Sequence, residues 1–337
     1  MRLIMVGFGT IGQNLARILE SKKKQLLREF GFHPRIVAVV DTAGAMINPE
    51  GLDLNRALAV KQTKGSVAKD PELGRLGMDA QEVIEGVEAE TVLELTPTRI
   101  VDGEPGLSHI KTALRRRRHV ITTNKAPLAI AMPSLMEMAS YNKALLKFSG
   151  TVGGGTPILD FVRKCLNGNR IESVRGILNG TTNYILTRMA ESDTPMDAAL
   201  KEAQVLGYAE ADPSYDIDGM DTACKLVILA NSTMGREVSL KDVEIKGIRE
   251  VTREDIEAAR KKGSRIKLIG TVDGGVSVRP EAVPLGHPLC IGGTLNAVSF
   301  RTELTGELTV VGKGAGGVET ASAVLRDIVD VRRALAQ

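Results

Sequence analysis

A short apolar run, Arg2-Leu3-Ile4-Met5-Val6, passes straight into Gly7-Phe8-Gly9-Thr10-Ile11-Gly12, and this junction restricts the fold more than any other segment. A strand whose apolar residues do not alternate with polar ones is buried on both faces, as parallel strands are. Ile11 to Phe30 then follows helical spacing, with Leu15, Ile18 and Leu19 on one side and Lys22, Lys23 and Lys24 on the solvated other. A strand, a glycine turn and a helix in this order open a βαβ unit. There the glycines allow a tight turn, and N–H groups at the helix start face an anion such as a pyrophosphate. Gly7, Phe8, Gly9, Thr10, Ile11 and Gly12 are therefore candidate dinucleotide contacts through their backbone. Arg35 to Val40 reads as the second strand and closes on Asp41. Asp41 is placed to accept hydrogen bonds from an adenine-ribose hydroxyl, and a carboxylate there leans toward NAD over NADP by repelling a 2′-phosphate.

Further apolar strands at Thr91 to Leu95 and Val120 to Thr123 alternate with helical stretches, which predicts a doubly wound α/β layer with a parallel sheet. From about residue 150 the texture changes. Thr151-Val152-Gly153-Gly154-Gly155-Thr156-Pro157 reads as a loop entering a helix, Pro157 being suited to a first turn. Strands are expected at Ile171 to Leu178, Arg265 to Val272, Val276 to Val278 and Ala297 to Thr302, with helices at about 195–206 and 219–234. Strands adjoining one another without regular helices indicate a second, mixed α+β domain. The last stretch, Gly317 to Leu335, is an amphipathic helix with Val324, Leu325, Ile328 and Val331 on one side. A length of 337 residues, at roughly 150 per domain, agrees with two domains.

Composition narrows the function by exclusion. Lys and Arg total 44 against 41 Asp and Glu, a net charge of +3, so no surface dedicated to nucleic acid or an anionic membrane is expected. The run Arg115-Arg116-Arg117-Arg118 ends a helix, where cations complement the helix dipole. Three cysteines, Cys165, Cys224 and Cys290, make no disulfide framework and have no metal-ligand spacing, which fits a reducing cytoplasm. Neither a targeting segment nor a membrane span is expected.

Two regions carry candidate chemistry. Thr96 and Lys125 follow predicted parallel strands at the carboxyl edge, where doubly wound sheets bind ligands, and Thr96 stands where it would touch a nicotinamide. The stretch from Leu206 to Lys225 holds Glu210, Asp212, Asp216, Asp218 and Asp221, five carboxylates within twelve residues, followed by Lys225. Its spacing is not that of a calcium loop. Asp221 and Lys225 are one helical turn apart, and Leu226-Val227-Ile228-Leu229-Ala230 then places that helix in a core. Acids beside Lys225 favour its charged form, suited to stabilising a developing alkoxide or donating a proton to it. Glu210 and Asp216 are candidates to hold a substrate ammonium. Asn179 and Thr181, in the turn Asn179-Gly180-Thr181-Thr182-Asn183, are candidates to hold a carboxylate. A small zwitterion bearing a carbonyl or hydroxyl is the implied substrate.

The segments GFGTIG, TTNKAPLA, SGTVGGGTPIL, ILNGTTNYIL, LGYAEADPSYDIDGMDTACK, HPLCIGGTLNAV and GKGAGGVETASAVLRDI, in this order, resemble the homoserine dehydrogenase family across essentially the whole chain. That resemblance implies reduction of L-aspartate 4-semialdehyde to L-homoserine with NADPH or NADH, on the route to threonine, methionine and isoleucine. It casts Lys225 as the proton-donating lysine and Lys125 as a second lysine near the nicotinamide. Gly207, Glu210, Asp216 and Asp221 fall on substrate positions, and Thr96 and Gly316 on cofactor positions. The loop from Ser149 resembles a monovalent-cation site, with sodium held by oxygens of Ser149, Val152, Gly154 and Thr156, although Ser149-Gly150 stands where many relatives have Glu-Ala. The implied architecture is a Rossmann-type domain of residues 1–132 and 312–337. Residues 133–311 would form a substrate-binding and dimerisation domain around an open mixed sheet. The same resemblance implies a cytoplasmic homodimer without a C-terminal regulatory domain.

Two rival readings remain. An acylating semialdehyde dehydrogenase needs an activated cysteine, for which Cys224 is the candidate, although it points about 100° away from its neighbour Lys225 on a helix. A nucleotide sensor would bind the cofactor without turning it over.

Overall fold

The computed structural model describes residues 1–336 and separates into two compact units, Met1–Thr151 with Gly316–Gln337, and Val152–Ala315. In the first unit β1 (Arg2–Val6) leads through the glycine turn into α1 (Thr10–Phe30), followed by β2 (Arg35–Asp41). A hairpin adds β3 (Gly44–Ile47) before α2 (Leu54–Lys64) and β4 (Gly74–Leu76). The chain continues through α3 (Ala80–Gly86), β5 (Thr91–Glu94), α4 (Gly106–Arg115), β6 (His119–Thr122), α5 (Lys125–Tyr141) and β7 (Leu146–Lys147). The seven strands lie in the order β4-β3-β2-β1-β5-β6-β7. The five from β2 to β7 are parallel, while β3 and β4 add an antiparallel edge. The chain winds outward in both directions from β1, so the glycine turn sits at the topological switch point, the crevice where such sheets take their ligands.

The second unit begins with α6 (Ile158–Cys165), β8 (Ile171–Ile177), α7 (Gly180–Ser192), α8 (Met196–Val205), α9 (Ser214–Ile217) and α10 (Met220–Met234). Then come β9 (Val243–Ile245), α11 (Arg253–Lys261), β10 (Ser264–Asp273), β11 (Gly275–Pro284), β12 (Leu295–Thr302) and β13 (Gly306–Lys313). They make a six-stranded sheet, β13-β12-β8-β10-β11-β9, antiparallel except for the β11–β9 pair. Sequence reading anticipated this mixed sheet but not β9 or β13, nor the full length of β11. Gly306-Glu307-Leu308-Thr309 alternates too weakly to announce an edge strand, and its pairing with β12 supplies the missing order. Pro157 precedes α6 as its cap rather than entering the first turn.

The chain closes with α12 (Gly317–Leu335), which belongs to the first unit. Its Ala321, Val324, Ile328 and Val331 join Leu15 and Leu19 of α1, Met5 of β1 and Leu93 of β5 in one core. The sequence reading drew the domain boundary at 132/133. Residues 133–151 lie with the first unit, where β7 hydrogen-bonds to β6.

A bidentate clamp ties α2 to the loop after it. Arg56 donates from Nε and Nη2 to the two oxygens of Asp70, each at 2.7 Å, and Asp70 also accepts from the N–H groups of Glu72 and Leu73. The guanidinium first, and then the backbone donors against the penalty of burial, bring the Asp70 carboxyl down from 3.8 to about 2. A carboxyl depressed in the fold contributes stability above its unfolded value and loses it as pH falls through the folded one. The stability difference between the wild type and Arg56→Met, read by urea unfolding, is thus expected to be full at pH 7. It should shrink between pH 3.8 and about 2, and a difference that stays constant down to that pH contradicts the assignment.

Candidate active site

In the first unit, three glycines do three separate jobs. Gly7 holds φ +98° against β5, where a Cβ would lie 2.7 Å from the backbone carbon and oxygen of Leu95. At Gly12 a Cβ would press into the carbonyl of Gly7, so only glycine lets α1 pack this close to the turn. Gly9 faces open space, with nothing within 4 Å of a built Cβ, and it caps α1 without any side-chain hydrogen bond or first-turn acid. The first N–H groups of α1 thus meet an open, uncapped position, which suits an anionic pyrophosphate. The Phe8 ring is buried at 1% exposure, so this residue offers only its backbone to a ligand. Thr10 is exposed and Ile11 half-buried. The start of α12 lies against that of α1, since a Cβ on Gly317 would fall 2.5 Å from Asn14 Nδ2 and 2.7 Å from Thr10 Cγ2. Gly316, in the left-handed half of φ at +135°, makes this entry.

Asp41 departs from expectation. Its Oδ1 accepts from the Ala43 N–H (3.1 Å) and the Ser66 hydroxyl (2.7 Å), and its Oδ2 from Lys61 Nζ (2.7 Å) and the Val67 N–H (3.1 Å). A carboxylate has about four acceptor positions, and here four donors already fill them. Burial alone would raise the Asp41 carboxyl, but Lys61, Ser66 and the two N–H groups bring it below its ordinary value. A ribose hydroxyl would have to displace one of these partners, and Lys61 already compensates the charge. The lean toward NAD therefore loses its physical basis. The residues that fill Asp41 come from a later helix and turn, which its place at the end of β2 does not reveal.

Thr96 lies just past β5, and Lys125 is the first residue of α5. The Thr96 hydroxyl donates to Glu94 and accepts from Asn124 Nδ2 at 3.2 Å, while Asn124 Oδ1 caps α5 through the Ala126 N–H. Glu94 escaped the sequence reading; its signal was an acid inside the otherwise apolar strand Thr91 to Leu95.

In the second unit α10 is buried continuously from Asp221 to Ala230. Gly270 of β10 has no side chain, and the space admits Thr222 and Leu226. Lys225 is therefore only 7% exposed. Its Nζ donates to Asp221 Oδ2 and to the Leu178 carbonyl, both at 2.6 Å. Asn179, the cap of α7, accepts from the N–H and hydroxyl of Thr182 through Oδ1. Its Nδ2 donates to Asp216 Oδ1 (2.6 Å) and Asp221 Oδ2 (2.9 Å). Burial and then the neighbouring Asp221 charge push the Asp216 carboxyl up, against the pull of Asn179 and Lys225. Two carboxylates, one amide and one ammonium thus meet at the ends of α7, α9 and α10.

The remaining sequence candidates fall elsewhere. Gly207 and Glu210 lie exposed in the loop after α8, where Gly207 takes φ +74°. The Thr181 hydroxyl donates to the Tyr208 carbonyl at 2.7 Å and so ties α7 to that loop. Asp212 is exposed, and Asp218 turns away to pair with Arg249. Cys224 is fully buried beneath Tyr215, whose hydroxyl donates to Sγ at 3.2 Å, a poor setting for an acyl-accepting nucleophile.

The side chains of the candidate cation loop are themselves hydrogen-bonded. The Ser149 hydroxyl and N–H both donate to Asp327, at 2.7 and 2.9 Å. The Thr156 hydroxyl donates to the Lys313 carbonyl at 3.1 Å, and the Thr156 N–H to Gly153. Each hydroxyl donates its proton and keeps its oxygen lone pairs, so both could still face a sodium ion beside main-chain carbonyls such as those of Val152 and Gly154. These hydroxyl and carbonyl oxygens are compatible with a monovalent cation, and no chemistry is routed through one.

A glycine cradle at a Rossmann switch point and a buried lysine–carboxylate cluster define an oxidoreductase that works with a dinucleotide. The sequence profile of the homoserine dehydrogenase family matches residues 157–329. A homoserine dehydrogenase of Methanocaldococcus jannaschii is 45% identical over 332 residues, 98% of each chain. An NAD(+)-dependent homoserine dehydrogenase of Pseudomonas canavaninivorans is 40% identical over 98% of this chain and 96% of its own. A solved hyperthermophilic archaeal homoserine dehydrogenase in complex with NADPH superposes with a TM-score of 0.86 at 32% identity, covering 100% of this chain and 98% of that one. The chain belongs to the homoserine dehydrogenase family. Among the described residues no helix is long and apolar enough to cross a membrane.

Proposed function

We propose that the chain reduces L-aspartate 4-semialdehyde to L-homoserine with NADH or NADPH, and that Lys225 assists at the carbonyl oxygen. The observation that carries this reading is the ammonium of Lys225, held at 2.6 Å by Asp221 in a nearly dry helix next to Asn179 and Asp216. A bound nicotinamide would supply the hydride to the aldehyde carbon. As charge develops on oxygen, Lys225 stabilises it and gives up a proton, and the hydrogen bond to Asp221 keeps the lysine aimed. Asp216, with Gly207 and Glu210 on the loop after α8, would hold the amino group of the substrate. Asn179 orients both acids, and the Thr181 tie to Tyr208 steadies that loop. Lys125, at the start of α5, would serve the nicotinamide end together with Thr96. Homologues that use NAD(+) and that bind NADPH leave both cofactors within this reading. By the same reading the product enters threonine, methionine and isoleucine synthesis, and the enzyme works as a cytoplasmic homodimer.

Loss of absorbance of NADH and of NADPH with aspartate semialdehyde, each as an initial rate, tests the reaction. Binding without turnover would instead indicate a nucleotide sensor. Cys224→Ala is expected to keep kcat within about twofold, because a fully buried thiol beneath Tyr215 is a packing group. A variant that loses turnover while staying folded would favour the acylating rival.

A further inference from the structure

Glu94 ends β5 with no solvent exposure, paired in register with Val6 of β1 and Thr122 of β6. It thus sits where the strands leading to the glycine turn and to Lys125 run side by side. Its Oε1 accepts from the N–H of Thr96 (3.2 Å) and from the Thr96 hydroxyl, and its Oε2 from the Thr122 hydroxyl (3.1 Å). Thr122 Oγ1 in turn accepts from the Asn124 N–H at 3.0 Å, and Asn124 Nδ2 donates to Thr96 Oγ1 at 3.2 Å. Four residues therefore close a ring of hydrogen bonds across the tips of β5 and β6, and the Asn124 of that ring caps the helix that Lys125 begins. From the far side, α4 presents the His109 imidazole, with Nδ1 at 3.6 Å from Oε1, and its own first residue, Gly106, where a Cβ would come within 3.2 Å of Oε2.

A neutral amide would fit between the same strand ends with far less desolvation, so the charge needs a reason of its own. The groups facing it are two hydroxyls, one N–H, a ring and a helix start. The His109 imidazole would offset that field only if protonated, and a buried charge acts over a long range. In a dinucleotide-dependent reductase, the group whose charge changes at this edge is the nicotinamide, which is neutral when reduced and cationic when oxidised.

We propose that Glu94 is a positioning residue for the nicotinamide end of the cofactor: its ring of hydrogen bonds fixes Thr96 and Asn124, and its negative charge favours the oxidised cofactor over the reduced one. This rests on the dinucleotide reading of the first unit. The test is the affinity of the full-length protein for NAD+ and NADH, and for the NADP pair, by calorimetry in the absence of substrate. Glu94→Gln keeps the shape and removes the charge. It is expected to raise the Kd ratio of oxidised to reduced cofactor about tenfold, the scale of one unit charge about 12 Å away at an effective dielectric constant near 20. Glu94→Asp, which keeps the charge, should hold that ratio within twofold. Thr96→Val, which breaks the ring, should weaken both forms about equally. Parallel changes in Glu94→Gln overturn the charge half of the proposal, and unchanged affinities in Thr96→Val overturn the positioning half, even if Glu94→Gln does not fold. A wild type that binds neither cofactor would instead defeat the dinucleotide reading.

Discussion

Replacing Lys225 with methionine is expected to lower kcat about a thousandfold, within the range usual for losing a positioned acid, while the Kd for NADH and NADPH stays within about twofold. Methionine retains most of the buried volume, so the change removes the ammonium rather than the packing. Loss of the charge leaves Asp221 and Asp216 facing one another through Asn179 without the ammonium of Lys225. Some destabilisation should accompany the loss of turnover, and a melting curve measures it separately. The distinction lies in where the loss falls: the glycine turn belongs to the first unit, whereas Lys225 belongs to the second. A methionine variant with near-normal kcat would remove Lys225 from the mechanism.

Gly12→Val is expected to raise the Kd for reduced cofactor by about a hundredfold and to cost about 1–3 kcal/mol of stability, the scale of overpacking. Its Cβ would enter the Gly7 carbonyl and push α1 away from the glycine turn. Gly9→Ala supplies the contrast. Nothing lies within 4 Å of a Cβ there, and the backbone (φ −83°, ψ −152°) suits alanine, so the melting temperature should hold. The added methyl points into the open space before the uncapped helix start, and affinity should still fall several-fold. Titration by cofactor fluorescence and a thermal scan on both variants decide this. Equal affinity in Gly9→Ala and wild type would show that the pyrophosphate does not lie at this helix start.

The two candidate clusters were legible in the sequence to different degrees. The glycine turn could be read outright, because strand, turn and helix are adjacent and each glycine has a local steric reason. The pairing of Asp221 with Lys225 was also readable, since residues four apart share a helix face and the following apolar run buries it. Asp41 shows how the same approach fails. Its place at a strand end was right, yet Lys61, Ser66 and Val67 arrive from 20 to 26 residues later and take up its acceptor positions. Among the five acids after Leu206, local spacing did not separate Asp216, which joins the lysine cluster, from Asp218, which turns to Arg249. The short helix Ser214–Ile217 decides that difference by sending successive side chains in different directions.

Periodicity and local stereochemistry, properties of neighbouring residues, were enough to determine a doubly wound first unit, a mixed second one and a core helix bearing a lysine. Tertiary structure alone decided which polar groups are already satisfied. It filled Asp41, gave the hydroxyl protons of Ser149 and Thr156 their acceptors, and closed the ring around Glu94. Hydrogen-bond saturation depends on donors brought from distant parts of the chain, and no window along the sequence contains them.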